Sequence, residues 1–347
     1  MARVDLTVMG GGIFGLSIAW AAARRGARVR LIEAAVIGAG SSGGIVGALA
    51  PHVPEHWNDK KAFQLDSLLM AKGWWDGVAA ASRLPTGYLR SGRLQPLADA
   101  SAVDLANARG VTAQTLWRGQ ADWSVIPVTG AAWQPQSPSG WLVRDTLTAR
   151  LHPRMAAQAL VAAISSVGGE VLEGGTGVAE GPVVWATGLA GLQALSDSMG
   201  RRIGDGVKGQ ALLLRCDAAD APQIFVDGLH IVPHADGTVA VGSTSESAWD
   251  NAAMVDDRAD ALHQKAVAAL PVLAGAAVLE RWAGVRPRAK SRAPLLGEWP
   301  GREGHYIANG GFKIGFGMAP KVGEVMADLV LDGLDSIPAG FRIEACR

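Results

Sequence analysis

Arg3-Val4-Asp5-Leu6-Thr7-Val8-Met9-Gly10-Gly11-Gly12-Ile13-Phe14-Gly15 decides the fold, because an apolar strand pattern over Arg3–Met9 runs straight into a glycine turn and then a helix. The helix is expected over 13–25, where Ala19, Ala21, Ala22 and Ala23 are good formers, and Gly26 stops it. Val29, Leu31 and Ile32 mark a second strand over 28–33 that ends at Glu33. Together these make one βαβ unit with Gly10, Gly12 and Gly15 as a G-x-G-x-x-G at its turn. The first glycine permits the tight turn, the second lets backbone approach a diphosphate, and the third allows close helix–strand packing. The helix N-terminus offers unpaired N–H groups and partial positive charge to that diphosphate. Glu33 is placed to accept from both ribose hydroxyls of an adenosine. A dinucleotide site is expected; glycines serving only a turn are the bland alternative.

Composition narrows the classes around that unit. At 347 residues the chain can hold two domains or one interrupted domain. Lys plus Arg and Asp plus Glu are 32 each, so no global field recruits nucleic acid or an anionic membrane. Cys216 and Cys346 are too isolated for a disulfide framework or a metal knuckle. The uncharged stretch from Ile13 to Ala23 falls far short of the ~20 residues that span a bilayer. Val4, Leu6 and Val8 already belong to a strand, so no signal peptide is expected and the cytoplasm is the default compartment. Homo-oligomerisation is left open.

Further along, Lys60–Ser82 reads as a helix, followed by irregular strand material to about Trp133. Pro153 opens another helix through Ser165. Val183–Ala186 is a buried-strand pattern. Asp236-Gly237 between His230–Pro233 and Thr238–Gly242 is a hairpin signal. A last helix is expected from about Ala319 to Leu331. Most of the tryptophans are expected in the core and at a domain seam, with one or two lining a pocket.

Beyond the first βαβ unit, one loop has no counterpart in a plain nicotinamide domain, and three further segments follow it. The loop Gly40-Ser41-Ser42-Gly43-Gly44-Ile45-Val46-Gly47-Ala48-Leu49-Ala50-Pro51-His52 comes first. Gly209-Gln210, Trp282-Ala283-Gly284-Val285-Arg286-Pro287 and Ile307-Ala308-Asn309-Gly310-Gly311-Phe312-Lys313-Ile314-Gly315 lie downstream. In order and spacing these resemble the D-amino acid oxidase superfamily of FAD-dependent oxidoreductases, and specifically its glycine oxidase branch, over nearly the whole chain.

The resemblance implies a two-part α/β fold. An FAD-binding, Rossmann-like domain of the glutathione-reductase type would be discontinuous over 1–84, 137–204 and 284–347. An inserted mixed-sheet substrate domain would take 85–136 and 205–283. Ile13 and Phe14 would lie beside the FAD diphosphate, Glu33 and Ala34 at its adenosine, and Ser41 and Ser42 near the diphosphate and ribityl chain. Val46, Gly47 and Ala48 would approach the flavin's reactive edge. Val178 would contact adenine through its backbone, and Thr187 and Gly188 would turn beside the cofactor. Gly311, Phe312, Lys313, Ile314, Gly315, Phe316 and Gly317 would wrap the pyrimidine side of the flavin. No histidine stands in the Gly40–Gly47 loop where the family's covalent members attach it, so FAD would be non-covalent.

Arg286 matches the family's substrate-carboxylate arginine, and its apolar context suits a bidentate guanidinium clamp better than a solvated basic stretch. Two departures stand out. Lys313 occupies a position where glycine oxidases carry arginine, so it would stabilise charge on the reduced flavin as a point cation. His230 replaces a tyrosine and would orient the amine or accept its proton. His52 would sit near the pocket mouth. The segment between Glu173 and Val183 is short for the family, which would leave the adenine edge open. The implied reaction is hydride transfer from the Cα of a small amino acid or secondary amine to flavin N5, with oxygen or another acceptor reoxidising the flavin. Rivals are an oxidase module acting on a tRNA wobble uridine, a 2-hydroxy acid dehydrogenase, and a non-catalytic flavoprotein.

Overall fold

The computed structural model describes residues 4–347, and Arg3 of the expected first strand lies outside them. The opening unit forms as the glycine pattern requires. Strand Leu6–Met9 leads through the turn to helix Ile13–Ala23, and strand Val29–Ile32 returns parallel to the first. Every residue of that helix is buried, which explains why it is apolar all round instead of striped. It packs beneath helix Gly315–Ala327, where a Cβ on Gly323 would lie 2.7 Å from the Ser17 carbonyl oxygen.

Six strands make the first sheet, in the order Leu295–Glu298, His305–Asn309, Val183–Trp185, Leu6–Met9, Val29–Ile32 and Glu170–Leu172. All neighbours are parallel except the antiparallel edge strand Leu295–Glu298. Helices cover it, so its central strands read as continuous apolar runs. The second sheet has eight strands, in the order Val278–Ala289, Gly204–Arg215, Thr238–Gly242, Leu229–Pro233, Gln223–Val226, Arg93–Pro96, Trp141–Asp145 and Trp123–Pro127. It is mixed, since Gln223–Val226 runs parallel to Arg93–Pro96 while its other pairs are antiparallel. The expected hairpin forms around Asp236, whose carboxylate accepts from the Thr238 amide at 3.1 Å.

Four local expectations need correction. Strand Trp141–Asp145 bonds to Arg93–Pro96 and Trp123–Pro127, so the crossing between sheets falls after Asp145 and not at 137. A buried ion pair between Arg93 Nε and Asp145 Oδ2, 2.8 Å long, locks that register. Residues 100–116, expected to be irregular, form helix Ala100–Leu116, capped by the Asp99 side chain at 2.9 Å from the Ala102 amide. Its only buried residues are Ala106 and Ala113, so its apolar stripe is faint in sequence. The first helix stops at Ala23, where Arg24 and Arg25 turn outward to ion pairs with Glu324 and Asp328. The last helix starts at Gly315, a turn before Ala319, and carries Pro320 inside it. Among the described residues no helix is long and apolar enough to cross a membrane.

Candidate active site

A cavity of about 890 Å³ runs from the glycine turn of the first sheet to the face of the second. Its two ends are built differently. At the first, Gly10 has φ +107°, and a Cβ there would come within 2.5 Å of the Ala186 carbonyl oxygen. A Cβ on Gly15 would lie 1.9 Å from the Gly10 carbonyl oxygen, which no adjustment of a side chain can relieve. Gly12 faces the cavity, where a Cβ would meet only the Ser42 Oγ, at 3.3 Å. That hydroxyl accepts from the Ile13 amide at 3.0 Å, joining the Ser41–Gly43 turn to the start of the helix. Glu33 accepts from the amides of Gly11 and Ala35 at 2.6 and 2.9 Å, so its carboxylate is held at the cavity edge.

Ala34, Ile13, Phe14, Ser41, Val46, Gly47, Ala48, Thr187 and Gly188 all line the cavity, as do Gly311, Phe312, Lys313, Gly315 and Phe316. Ile314 and Gly317 stand behind this wall, Gly317 buried against Leu49. Two expected residues are not brought in. Val178 is 73% exposed and its carbonyl accepts from Arg30 at 3.2 Å; Gly175 and Gly177 line the edge in its place. His52 is held by Gln64 through both its amide and Nδ1, and it does not line the cavity.

The sheet end is made by side chains. Cross-strand alignment sets Trp282, Gly284 and Arg286 at alternate positions of one strand, on one face. Arg286 is 8% exposed; its Nη2 donates to Ser243 Oγ at 2.6 Å and its Nη1 to the Thr244 carbonyl at 3.3 Å. A Cβ on Gly209 would fall 2.0–2.3 Å from the guanidinium, so the bare glycine is the groove in which it lies. Burial pushes the Arg286 pKa down to about 10, opposed by the charge of Glu246, and the group stays cationic. Lys313 is lowered by desolvation and by Arg286.

His230 packs on Phe225 with ring centres 4.6 Å apart, and its Nδ1 has no hydrogen-bond partner among the described residues. Burial, then Arg93, Lys313 and Arg286, push its pKa down to about 3. The imidazole is therefore neutral near pH 7, suited to orienting an amine and weak as a proton acceptor.

Long-range partners of this end were invisible in the sequence. Trp282 lies over Gly284 and reaches Gly44, with a Cβ on either glycine falling 2.5 or 3.2 Å from the indole. Arg154 grips Glu280 through two hydrogen bonds of 2.6 and 2.8 Å and donates to the Gly43 carbonyl at 3.0 Å. His234, fully buried, lies with Nε2 at 2.9 Å from the Ile45 carbonyl oxygen. Asn309 bridges Gly188 and Gly310 at 2.8 and 2.7 Å.

A glycine-turn domain opening onto a cationic sheet face defines a dinucleotide-binding protein with room for a second, anionic ligand. The chain belongs to the DAO family of FAD dependent oxidoreductases, whose profile matches residues 5–329. It is 29% identical to the glycine oxidase of Pseudomonas putida strain KT2440 over 98% of each chain. Its fold superposes on the crystal structure of glycine oxidase from Geobacillus kaustophilus with a TM-score of 0.83, at 23% identity over 99% of both chains. Glycine oxidase from Bacillus cereus ATCC 14579 gives 0.82 at 20% identity, over 97% of this chain and 99% of that one. The protein is an FAD-dependent oxidoreductase. The cavity fits that cofactor: Gly12 leaves the helix N-terminus open toward it, and the Glu33 carboxylate at the cavity edge has no cation within 4 Å among the described residues, as a partner for ribose hydroxyls would need.

Proposed function

We propose that this enzyme oxidises a small amino acid or secondary amine bearing a carboxylate. FAD would be held without a covalent bond by the glycine turn, Glu33, the Ser41–Gly43 turn and the Gly311–Gly315 loop. The observation carrying the reading is Arg286, a buried guanidinium at the cavity wall with no carboxylate within 4 Å among the described residues. Unpaired buried charge is costly, so an anionic ligand is the natural partner. FAD, when bound, supplies the two-electron acceptor for a hydride leaving the substrate Cα.

The chain's own residues position the substrate. Arg286 takes the carboxylate through the guanidinium hydrogens that Ser243 and Thr244 leave free. Neutral His230 orients the amine, which enters deprotonated. As the hydride leaves Cα, the nitrogen lone pair closes the C=N bond. Lys313 keeps a positive charge beside the region that gains electrons. The imine is released and hydrolysed by water to an oxo acid and ammonia or an amine. Oxidation of a 2-hydroxy acid would need a base for a far less acidic hydroxyl proton. His230, the only imidazole lining the cavity among the described residues, has its pKa at about 3, so the amine is favoured.

Anaerobic mixing with D-, L- and N-alkyl amino acids tests the reading. Amine acids should bleach the flavin absorbance, and admitted air should reveal whether oxygen restores it. Bleaching by 2-hydroxy acids alone, or by none of the panel, would overturn the assignment.

A further inference from the structure

We propose that the substrate carries two carboxylates, as an iminodicarboxylate or an amino dicarboxylic acid does, one bound by Arg286 and the other by Lys313. This inference rests on the amine-oxidising reading above and narrows its substrate class.

Elsewhere this protein gives its interior cations partners. Buried Arg93 pairs with Asp145 at 2.8 Å, and buried Lys208 has Glu246 at 3.9 Å. Arg154, partly covered, pairs with Glu280 at 2.6 Å. Arg150 is held by the carbonyls of Gly87 and Ala219. At the sheet end of the cavity two cations lack the carboxylate that Arg93, Lys208 and Arg154 have, a lack shared elsewhere by Arg150. Arg286 and Lys313 both line the cavity, and among the described residues neither has a carboxylate within 4 Å.

Glu33 is the only acidic residue of the wall among the described residues, and it stands at the glycine-turn end, bound to two amides. His230 adds no charge, being neutral between its cationic neighbours. Two like charges line one cavity, Arg286 buried in its wall and Lys313 exposed on it, and Arg286 lowers the affinity of Lys313 for its proton. A monocarboxylate with a neutral amine balances one of them. A dicarboxylate balances both before any electron has moved.

Donor geometry agrees. Arg286 uses one hydrogen on Nη1 and one on Nη2 for Thr244 and Ser243, which leaves three of its five for a ligand. Lys313 makes no side-chain hydrogen bond among the described residues; its Nζ lies 5.9 Å from the centre of the Phe312 ring, a loose contact that leaves its three donors free.

The test uses the FAD-loaded enzyme and inert ligands at constant ionic strength. Flavin absorbance is titrated with acetate, malonate and succinate. Malonate or succinate should bind at least about tenfold tighter than acetate. Lys313→Met, or Lys313→Gln if the first loses its flavin spectrum, should bring that ratio near unity. Equal affinities in the parent enzyme, or a ratio that survives both substitutions, overturns the inference. Anaerobic bleaching then compares glycine and N-methylglycine with iminodiacetate and both aspartate enantiomers. Bleaching by the monocarboxylates alone overturns the dianion and leaves the amine-oxidising reading standing. Bleaching by no amine overturns that reading, while the inert titration still decides the charge preference.

Discussion

The two ends of the cavity solve opposite problems. The glycine-turn end is made of backbone and of missing side chains: Gly10, Gly12 and Gly15 are there for the space they leave. The sheet end is made of charge on long side chains, namely Arg286, steadied by Ser243 and Thr244 far off in sequence, and Lys313. On the proposed reading, one end would fix what every dinucleotide shares, and the other would distinguish one small acid from another. Substitutions should therefore separate cofactor retention from substrate recognition.

Gly15→Ala should have the largest effect, because the new methyl meets the Gly10 carbonyl oxygen at 1.9 Å. A loss above ~4 kcal/mol is expected, seen as a collapsed thermal midpoint with FAD released. A yellow, stable variant would show that the turn adapts and that the two ends differ less than their sterics imply.

Arg286→Leu should leave FAD bound and abolish carboxylate recognition. Loss of a charge-assisted pair suggests ~2–5 kcal/mol against acid substrates and carboxylate inhibitors alike. Amines lacking a carboxylate should change much less. Unchanged relative affinity for acidic and neutral amines, measured by flavin titration, would make Arg286 structural.

Lys313→Met should slow flavin reduction at saturating substrate by up to ~2.7–4 kcal/mol in barrier, the range for one preorganised donor. Stopped-flow reduction reads this directly, and an unaltered limiting rate would remove Lys313 from the chemistry.

The most gradual effect concerns pH and is spread over several pH units; it includes the contact joining the two ends. His234 and His230 have pKa values pushed from 6.5 to about 4 and about 3, chiefly by burial. The unfolded chain takes up these protons below pH 6.5 while the folded chain does not. Stability should thus be full above that pH and fall as pH drops toward 4, by about 1 kcal/mol per histidine for each pH unit crossed. Thermal midpoints at pH 8, 6.5 and 5 check the slope. His234→Phe should flatten it, and an equally steep slope in that variant would assign the effect to other groups.

The same contrast explains how much of the molecule was readable in sequence. Gly10, Gly12, Gly15 and Glu33 could be read because backbone sterics dictate residue type at fixed spacing. Arg286 could be read because a lone cation among Trp282, Ala283, Gly284 and Val285 is an anomaly whatever the fold. Val178 could not, because its carbonyl is taken by Arg30 from a neighbouring strand, and Arg30 in turn pairs with Glu170 and Glu180. Trp282's reach to Gly44 and Arg154's grip on Glu280 join segments more than a hundred residues apart. Helix Ala100–Leu116 escaped because alanines make a faint apolar stripe.

The strands Gly204–Arg215 and Val278–Ala289 are paired along nearly their whole length, so on the proposed role of Arg286 they would act as a length standard for the substrate. The Phe312 amide bonds to the carbonyl of Pro287, next to Arg286, at 3.1 Å, which ties the strand to the loop that carries Lys313. Slipping the strand by one residue would move the guanidinium ~3.3 Å and turn it to the opposite face. Only even steps keep it facing the cavity, each worth ~6.6 Å. On that role, acceptable substrate length would be stepped by sheet register, and redesign toward longer acids would call for a two-residue insertion more than for a wider pocket.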